Sequence, residues 1–162
     1  MSLTPLSVAL ATLDDAPAIA ALRTAAAREL VLQFGGGAWG GVATERGVRR
    51  DLATSRVYVW RDGDILVATL RLATKKPWAI DTAYFRPCAR PLYTTSMAVA
   101  PALQRRGVGR RCLDDLQTIA QAWPADAIRL DAYDAAAGAA PRCCARSSAP
   151  TRRARATPRP GD

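Results

Sequence analysis

The chain has 162 residues, with 23 Lys and Arg against 14 Asp and Glu, so that it carries +9 formal charges at neutral pH and has the length of one domain. With 49% apolar and 23% charged residues it can bury a core, and the absence of any histidine excludes imidazole bases, Ser-His-Asp and Cys-His nucleophile systems and His-ligated zinc. Residues Leu6 to Ala11 are predicted as a first strand. Asp14 or Asp15 then caps a helix from about Ala16 to Leu32, with Pro17 in its first turn. Its positions Ile19, Leu22, Ala26 and Leu30 recur at three and four residues, which is the spacing of one buried face. Gly35 to Gly41, with Trp39 inside, ends it, and a shorter helix follows over about Thr44 to Leu52.

Arg56 to Arg61 and Ile65 to Ala73 are rich in β-branched and aromatic residues and flank Asp62-Gly63-Asp64, which predicts an antiparallel hairpin. A long connection from Thr74 to Pro91 leads to another strand over Leu92 to Val99, closed by Pro101. From Gly107 to about Trp123, Val108, Cys112, Leu116, Ile119 and Trp123 share one helical face, and Ile128 to Tyr133 is predicted as a strand after Pro124. The order is strand, helix, helix, three strands, helix, strand.

Cys88, Cys112, Cys143 and Cys144 have no metal-ligand spacing, so the expectation is reduced thiols and no metal. No stretch approaches the roughly 18 apolar residues of a membrane span. The run Leu6 to Leu10 is too short for a signal segment, so a cytoplasmic location is expected. Arg142 to Asp162 hold six Arg and one Asp without any Val, Ile, Leu, Met or aromatic residue, while residues 1–141 carry only +4. The expected organisation is a folded domain over 1–141 and a basic, disordered tail over 142–162.

The chemistry is concentrated in Met97-Ala98-Val99-Ala100-Pro101-Ala102-Leu103-Gln104-Arg105-Arg106-Gly107-Val108-Gly109-Arg110, where a strand ends, two glycines turn the chain and a helix begins. The free N–H groups and the dipole of a helix N-terminus favour an anion, and glycine lets the backbone approach it. Arg105, Arg106, Arg110 and Arg111 suit a guest with several phosphates. The stretch lacks the G-K-[ST] ending of a Walker A loop and the third glycine of the dinucleotide fingerprint.

It resembles instead the cofactor loop of the GCN5-related N-acetyltransferases, Q/R-x-x-G-x-G/A after a strand ending in V-x-P: Gln104, Gly107 and Gly109 match, preceded by Val99-Ala100-Pro101. The element order agrees from about Leu6 to Tyr133. The resemblance implies an α/β (α+β) fold with a mixed, mostly antiparallel sheet flanked by helices. It also implies acetyl-CoA as co-substrate, its pyrophosphate on the amides of Gln104 to Arg110 (Gln104, Arg105, Arg106, Gly107, Val108, Gly109, Arg110). The edge of Met97, Ala98 and Val99 would pair with the pantetheine arm, and the thioester would lie between the strands of Val99 and Leu130. The acceptor would be a small-molecule or peptide amine. Acceptor residues are expected at Trp39 and in the connection through Asp81, Tyr84 and Tyr93, although the same aromatics would serve as cover for the sheet.

Acetyl transfer needs a deprotonated amine, a donor to the carbonyl oxygen and a proton for the leaving thiolate. Asp131 and Tyr133 are the candidates for base and acid. Their other reading is local, Asp131 and Asp134 as caps of a next helix and Tyr133 as packing. The family continues with a helix bearing a Phe-Tyr pair and two final strands. Here Arg142-Cys143-Cys144-Ala145-Arg146 stands where that pair is expected, and no strand-forming residues follow. Twenty-one Arg against two Lys suggest a GC-rich gene whose last segment is translated out of frame, a natural anion-binding tail being the competing reading. Such an ending would leave the last strand's edge open to another chain. The alternative functions are a non-catalytic acyl-CoA-binding module and a polyanion binder in which the tail contacts nucleic acid non-specifically.

Overall fold

Asp62-Gly63-Asp64 makes the turn the sequence requires: Gly63 takes φ +58°, and β2 (Arg56–Asp62) folds back on β3 (Ile65–Ala73). The computed structural model describes residues 5–36, 41–77, 82–83 and 85–130. Around the hairpin, β1 (Ser7–Leu10), β4 (Pro91–Val99) and β5 (Ala127–Leu130) complete a sheet of order β1-β2-β3-β4-β5. All neighbours are antiparallel except β4 and β5, which run parallel. This is the mixed α/β architecture expected.

The helices α1 (Ala16–Phe34), α2 (Glu45–Thr54) and α3 (Val108–Gln121) take their predicted places. Ile19, Leu22 and Ala26 of α1 are buried as their spacing requires, and Ala16, Ile19 and Ala20 join Val48 of α2 and Val57 and Val59 of β2 in one core cluster. On the other face Val108, Cys112, Leu116 and Ala120 of α3 meet Tyr58, Trp60, Leu70, Leu72 and Leu92. Thus α1 and α2 cover one face and α3 the other. Trp60 is fully buried, and its Nε1 donates to Asp115 Oδ2 of α3 at 2.9 Å.

Three boundaries differ from expectation. β1 is only four residues and exposed throughout, because it is an edge strand with a single neighbour. Asp15 stands at the N-cap of α1 as expected, but its carboxylate makes no capping bond to that helix: it accepts from the Thr12 N–H at 2.9 Å and pairs with Arg61, since a turn of 3₁₀ helix over Leu13–Asp15 precedes α1 and gives the aspartate helical backbone angles. Helix α1 runs two residues beyond Leu32, to Gly35 at φ +80°, whose N–H reaches Val31 O at 2.9 Å. Thr44 caps α2, accepting from Gly47 N at 3.1 Å, so the helix itself begins at Glu45.

Candidate functional site

Strand β4 carries the first feature. Thr69 lies opposite Ala98 and Arg71 opposite Thr95, so Leu70 faces both Ser96 and Met97: a bulge of one extra residue, with Ser96 at φ +52°. The bulge reverses the alternation. Leu92 and Thr94 lie on the α3 face and Tyr93 and Thr95 on the opposite one, but beyond Ser96 it is Met97 and Val99 that turn toward α3.

After Pro101–Leu103, a single turn of 3₁₀ helix, the Gln104 side chain returns to donate from Nε2 to Val99 O at 3.1 Å, tying the loop to the end of β4. Arg105 and Gly107 then take positive φ, +59° and +87°, and Gly107 becomes the cap of α3. Arg111 N donates to Gly107 O at 3.0 Å. The N–H groups of Val108, Gly109 and Arg110 therefore stand before the first intrahelical acceptor. The two glycines have different reasons. At Gly107 a Cβ would meet nothing within 4 Å, so glycine answers to backbone conformation; at Gly109 it would touch Met97 Cε at 3.5 Å and Val99 Cγ2 at 3.8 Å, ordinary contacts that exclude no alanine.

Charge here runs against the helix alone. The first turn of α3 has no acidic residue, and arginines stand at 110 and 111, where the positive end of the dipole opposes them. Arg111 is held by Asp115 at 2.9 Å and Arg110 lies 4.0 Å from Asp114. Arg105 Nη2 donates to the neutral Gln33 Oε1 at 3.0 Å, which joins the loop to the end of α1, and Arg106 has no ion pair among the described residues. An anion between loop and helix would relieve this concentration of positive charge. One turn inside α3, the Cys112 thiol is pushed up to about 12 by burial and by the nearby Asp115 carboxylate.

The second feature is the parallel pair of β4 and β5, which runs from Pro91–Ala127 to Thr94–Leu130, the last described residue. Its start is fastened by Arg90 and Asp126: Arg90 N and Nη2 donate to the carboxylate at 3.0 and 2.7 Å, and Asp126 N donates to Arg90 O at 2.9 Å. The Arg90 hydrogen bond holds the Asp126 carboxyl below its ordinary range.

All ten positions read as cofactor contacts, Met97 to Val99 and Gln104 to Arg110, gather at this junction. Tyr93 lies buried on the opposite face of the sheet. Trp39, Asp81, Tyr84, Asp131 and Tyr133 and the 142–162 segment lie outside the described residues. Two features escaped the sequence reading. Ser96 could have been found from Leu92, Met97 and Val99, whose shared face breaks the period of two across a Thr-Thr-Ser run. Arg129, buried beside Tyr93, offered only the signal of an arginine flanked by the apolar Ile128 and Leu130.

The sequence matches the model of the acetyltransferase (GNAT) family over residues 25–143. No curated protein matches it. Among solved structures, a GCN5-related N-acetyltransferase from Ralstonia eutropha JMP134 superposes with TM-score 0.62 at 16% identity, covering 96% of this chain and 97% of that one. A possible acetyltransferase from Clostridium difficile 630 gives 0.59 at 17%, covering 80% and 81%. A GNAT family acetyltransferase from Brucella melitensis, solved in complex with acetyl-CoA, gives 0.58 at 13%, covering 80% and 77%. These structures share the fold, and since the family match extends from α1 past β5 and takes in the glycine loop, the chain belongs to the GNAT acetyltransferase family.

Proposed function

We propose that this protein transfers an acetyl group from acetyl-CoA to an amine of a small molecule or peptide. The observation that carries the reading is the loop after β4, whose Gly107 cap opens onto free space and leaves the first amides of α3 before any intrahelical acceptor. The amides of Val108, Gly109 and Arg110 would hold the pyrophosphate, with Arg105, Arg106 and Arg110 supplying charge. The edge of β4 at Met97 and Val99 would pair with the pantetheine arm as an added strand would. Gln104 takes a supporting part, fixing the loop through Val99 O.

Acetyl-CoA supplies the activated acetyl thioester. In the transfer the amine nitrogen bonds to the acetyl carbon as the carbon–sulfur bond breaks; the amine gives up a proton and the thiolate receives one. Asp131 and Tyr133, which follow β5, remain the residues proposed for these proton transfers. Calorimetric titration with acetyl-CoA, followed by assay of CoA thiol release with a panel of amines, tests the reading. Micromolar binding and amine-dependent thiol release are expected. A folded protein that binds no acetyl-CoA would overturn it.

A further inference from the structure

On the sheet face opposite α3, three arginines meet too few carboxylates. Arg129 of β5 is 8% exposed. Its Nη1 donates to Tyr93 Oη at 3.1 Å and its Nη2 to Arg86 O at 3.0 Å, and its guanidinium carbon lies 5.1 Å from the Phe85 ring centre and 5.8 Å from that of Tyr93. None of these partners is an anion, and among the described residues Arg129 has no ion pair. A guanidinium cannot shed its charge, and burying one against neutral groups is costly unless an opposite charge joins it. Two of its five N–H groups are engaged by the partners named.

Neighbouring groups on the same face repeat the imbalance. Asp51 serves two cations, Arg23 at 2.7 Å and Arg71 at 3.6 Å. Arg23, whose side chain is 11% exposed, keeps Nε and Nη2 buried with no hydrogen-bond partner. Strand register places these groups in a row: Arg71 is opposite Thr95, Tyr93 lies two residues along on the same face, and Tyr93 is opposite Arg129. The row spans β3, β4 and β5, about 10 Å across two strand spacings. It lies on the sheet face away from the α3 loop, so an acceptor approaching β4 from the side the cofactor loop leaves free would meet it.

We infer that this row is an anion anchor for the acceptor, with the Arg129 guanidinium and the Tyr93 hydroxyl as direct contacts and Arg71 and Arg23 as a surrounding positive field, so that the acceptor is an amine bearing a carboxylate. The inference rests on the acetyltransferase reading above. Guanidinium and phenol together present a fork of donors that fits two carboxylate oxygens. The same field disfavours polyamines and amines set among basic groups.

The test is calorimetric binding of glycine, 4-aminobutanoate and 6-aminohexanoate to the full chain, each against its amide, with and without saturating CoA; acetyl-CoA is titrated in parallel. At least one carboxylate is expected to bind tenfold or more tightly than its amide. Arg129→Gln should abolish that preference and Arg129→Lys restore part of it. Tyr93→Phe, which removes only a hydroxyl, should reduce it severalfold, all with acetyl-CoA affinity within threefold of wild type. Equal binding of acids and amides by a protein that binds acetyl-CoA would overturn the anchor and leave the acetyltransferase reading standing. A carboxylate preference without acetyl-CoA binding would keep the anchor and sink that reading. A preference that survives Arg129→Gln, or one that emerges only in an Asp81→Asn or Asp131→Asn variant, would also overturn the anchor, the latter because the chain's own acid would then hold Arg129.

Discussion

Gly107 allows backbone strain and ligand charge to be separated in one pair of variants. It takes φ +87°, and a side chain there would enter open space. Gly107→Ala therefore meets no clash and costs only the left-handed conformation of an L-residue, about 1–2 kcal/mol. That corresponds to a melting temperature lower by about 2–4 °C per kcal/mol for a domain of this size. Aspartate tolerates this conformation better than alanine does, so Gly107→Asp should be no less stable than the alanine variant. Its carboxylate would nevertheless face the proposed pyrophosphate. At about 5 Å and an effective dielectric near 20, one pair of like charges costs about 3 kcal/mol, or roughly two decades in Kd. Thermal unfolding of both variants and calorimetric titration with acetyl-CoA supply the four numbers. A Gly107→Asp protein that melts with the alanine variant and binds acetyl-CoA within threefold of it would refute the assignment of this loop to phosphate.

Gly109→Ala should raise stability by up to about 1 kcal/mol in urea unfolding, since the new methyl only touches Met97 and Val99 and helix propensity improves. Trp60→Phe removes the bond to Asp115 from a fully buried ring and should cost about 2–3 kcal/mol, visible as a lower urea midpoint at unchanged slope. Cys112, held near 12 in the folded protein, loses its proton more readily once unfolded. Stability should therefore fall as pH rises above about 9, by at most about 1.4 kcal/mol per pH unit from this group, and Cys112→Ala should flatten that limb of the profile. The Asp126 carboxyl should titrate below free aspartate in carboxyl-detected NMR, and Arg90→Gln should return it upward; an unshifted midpoint in wild type would contradict the bond that fastens the start of the β4–β5 pair.

The fold was largely legible because its signals are local. Asp62-Gly63-Asp64 fixes a turn, the Ile19, Leu22 and Ala26 spacing fixes a helix face, and Gly107 and Gly109 before an amphipathic run mark the start of α3. The glycine loop proposed to hold the cofactor was legible as a turn into α3 for the same reason, since its residues are consecutive. The Ser96 bulge was harder to see because it depends on register against β3; Thr94-Thr95-Ser96 alone reads as uninterrupted strand. That Arg129 meets no carboxylate among the described residues depends on what the fold brings beside it, and Tyr93, Phe85 and Arg86 are distant in sequence. The helix entry at Asp15 was legible, but the partner of its carboxylate was not, because Arg61 stands 46 residues on.

The bulge also makes chain length matter unequally along the molecule. Between β2 and β3 the turn is exposed and one residue more or less changes only a surface loop. In β4 the loss of Ser96 would leave Met97 alone opposite Leu70 and keep Met97 and Val99 toward α3, whereas the loss of Ala98 would send Val99 to the opposite face and swing the glycine loop with it. Chain length is therefore slack by one residue at the bulge and strict between Met97 and the glycine loop.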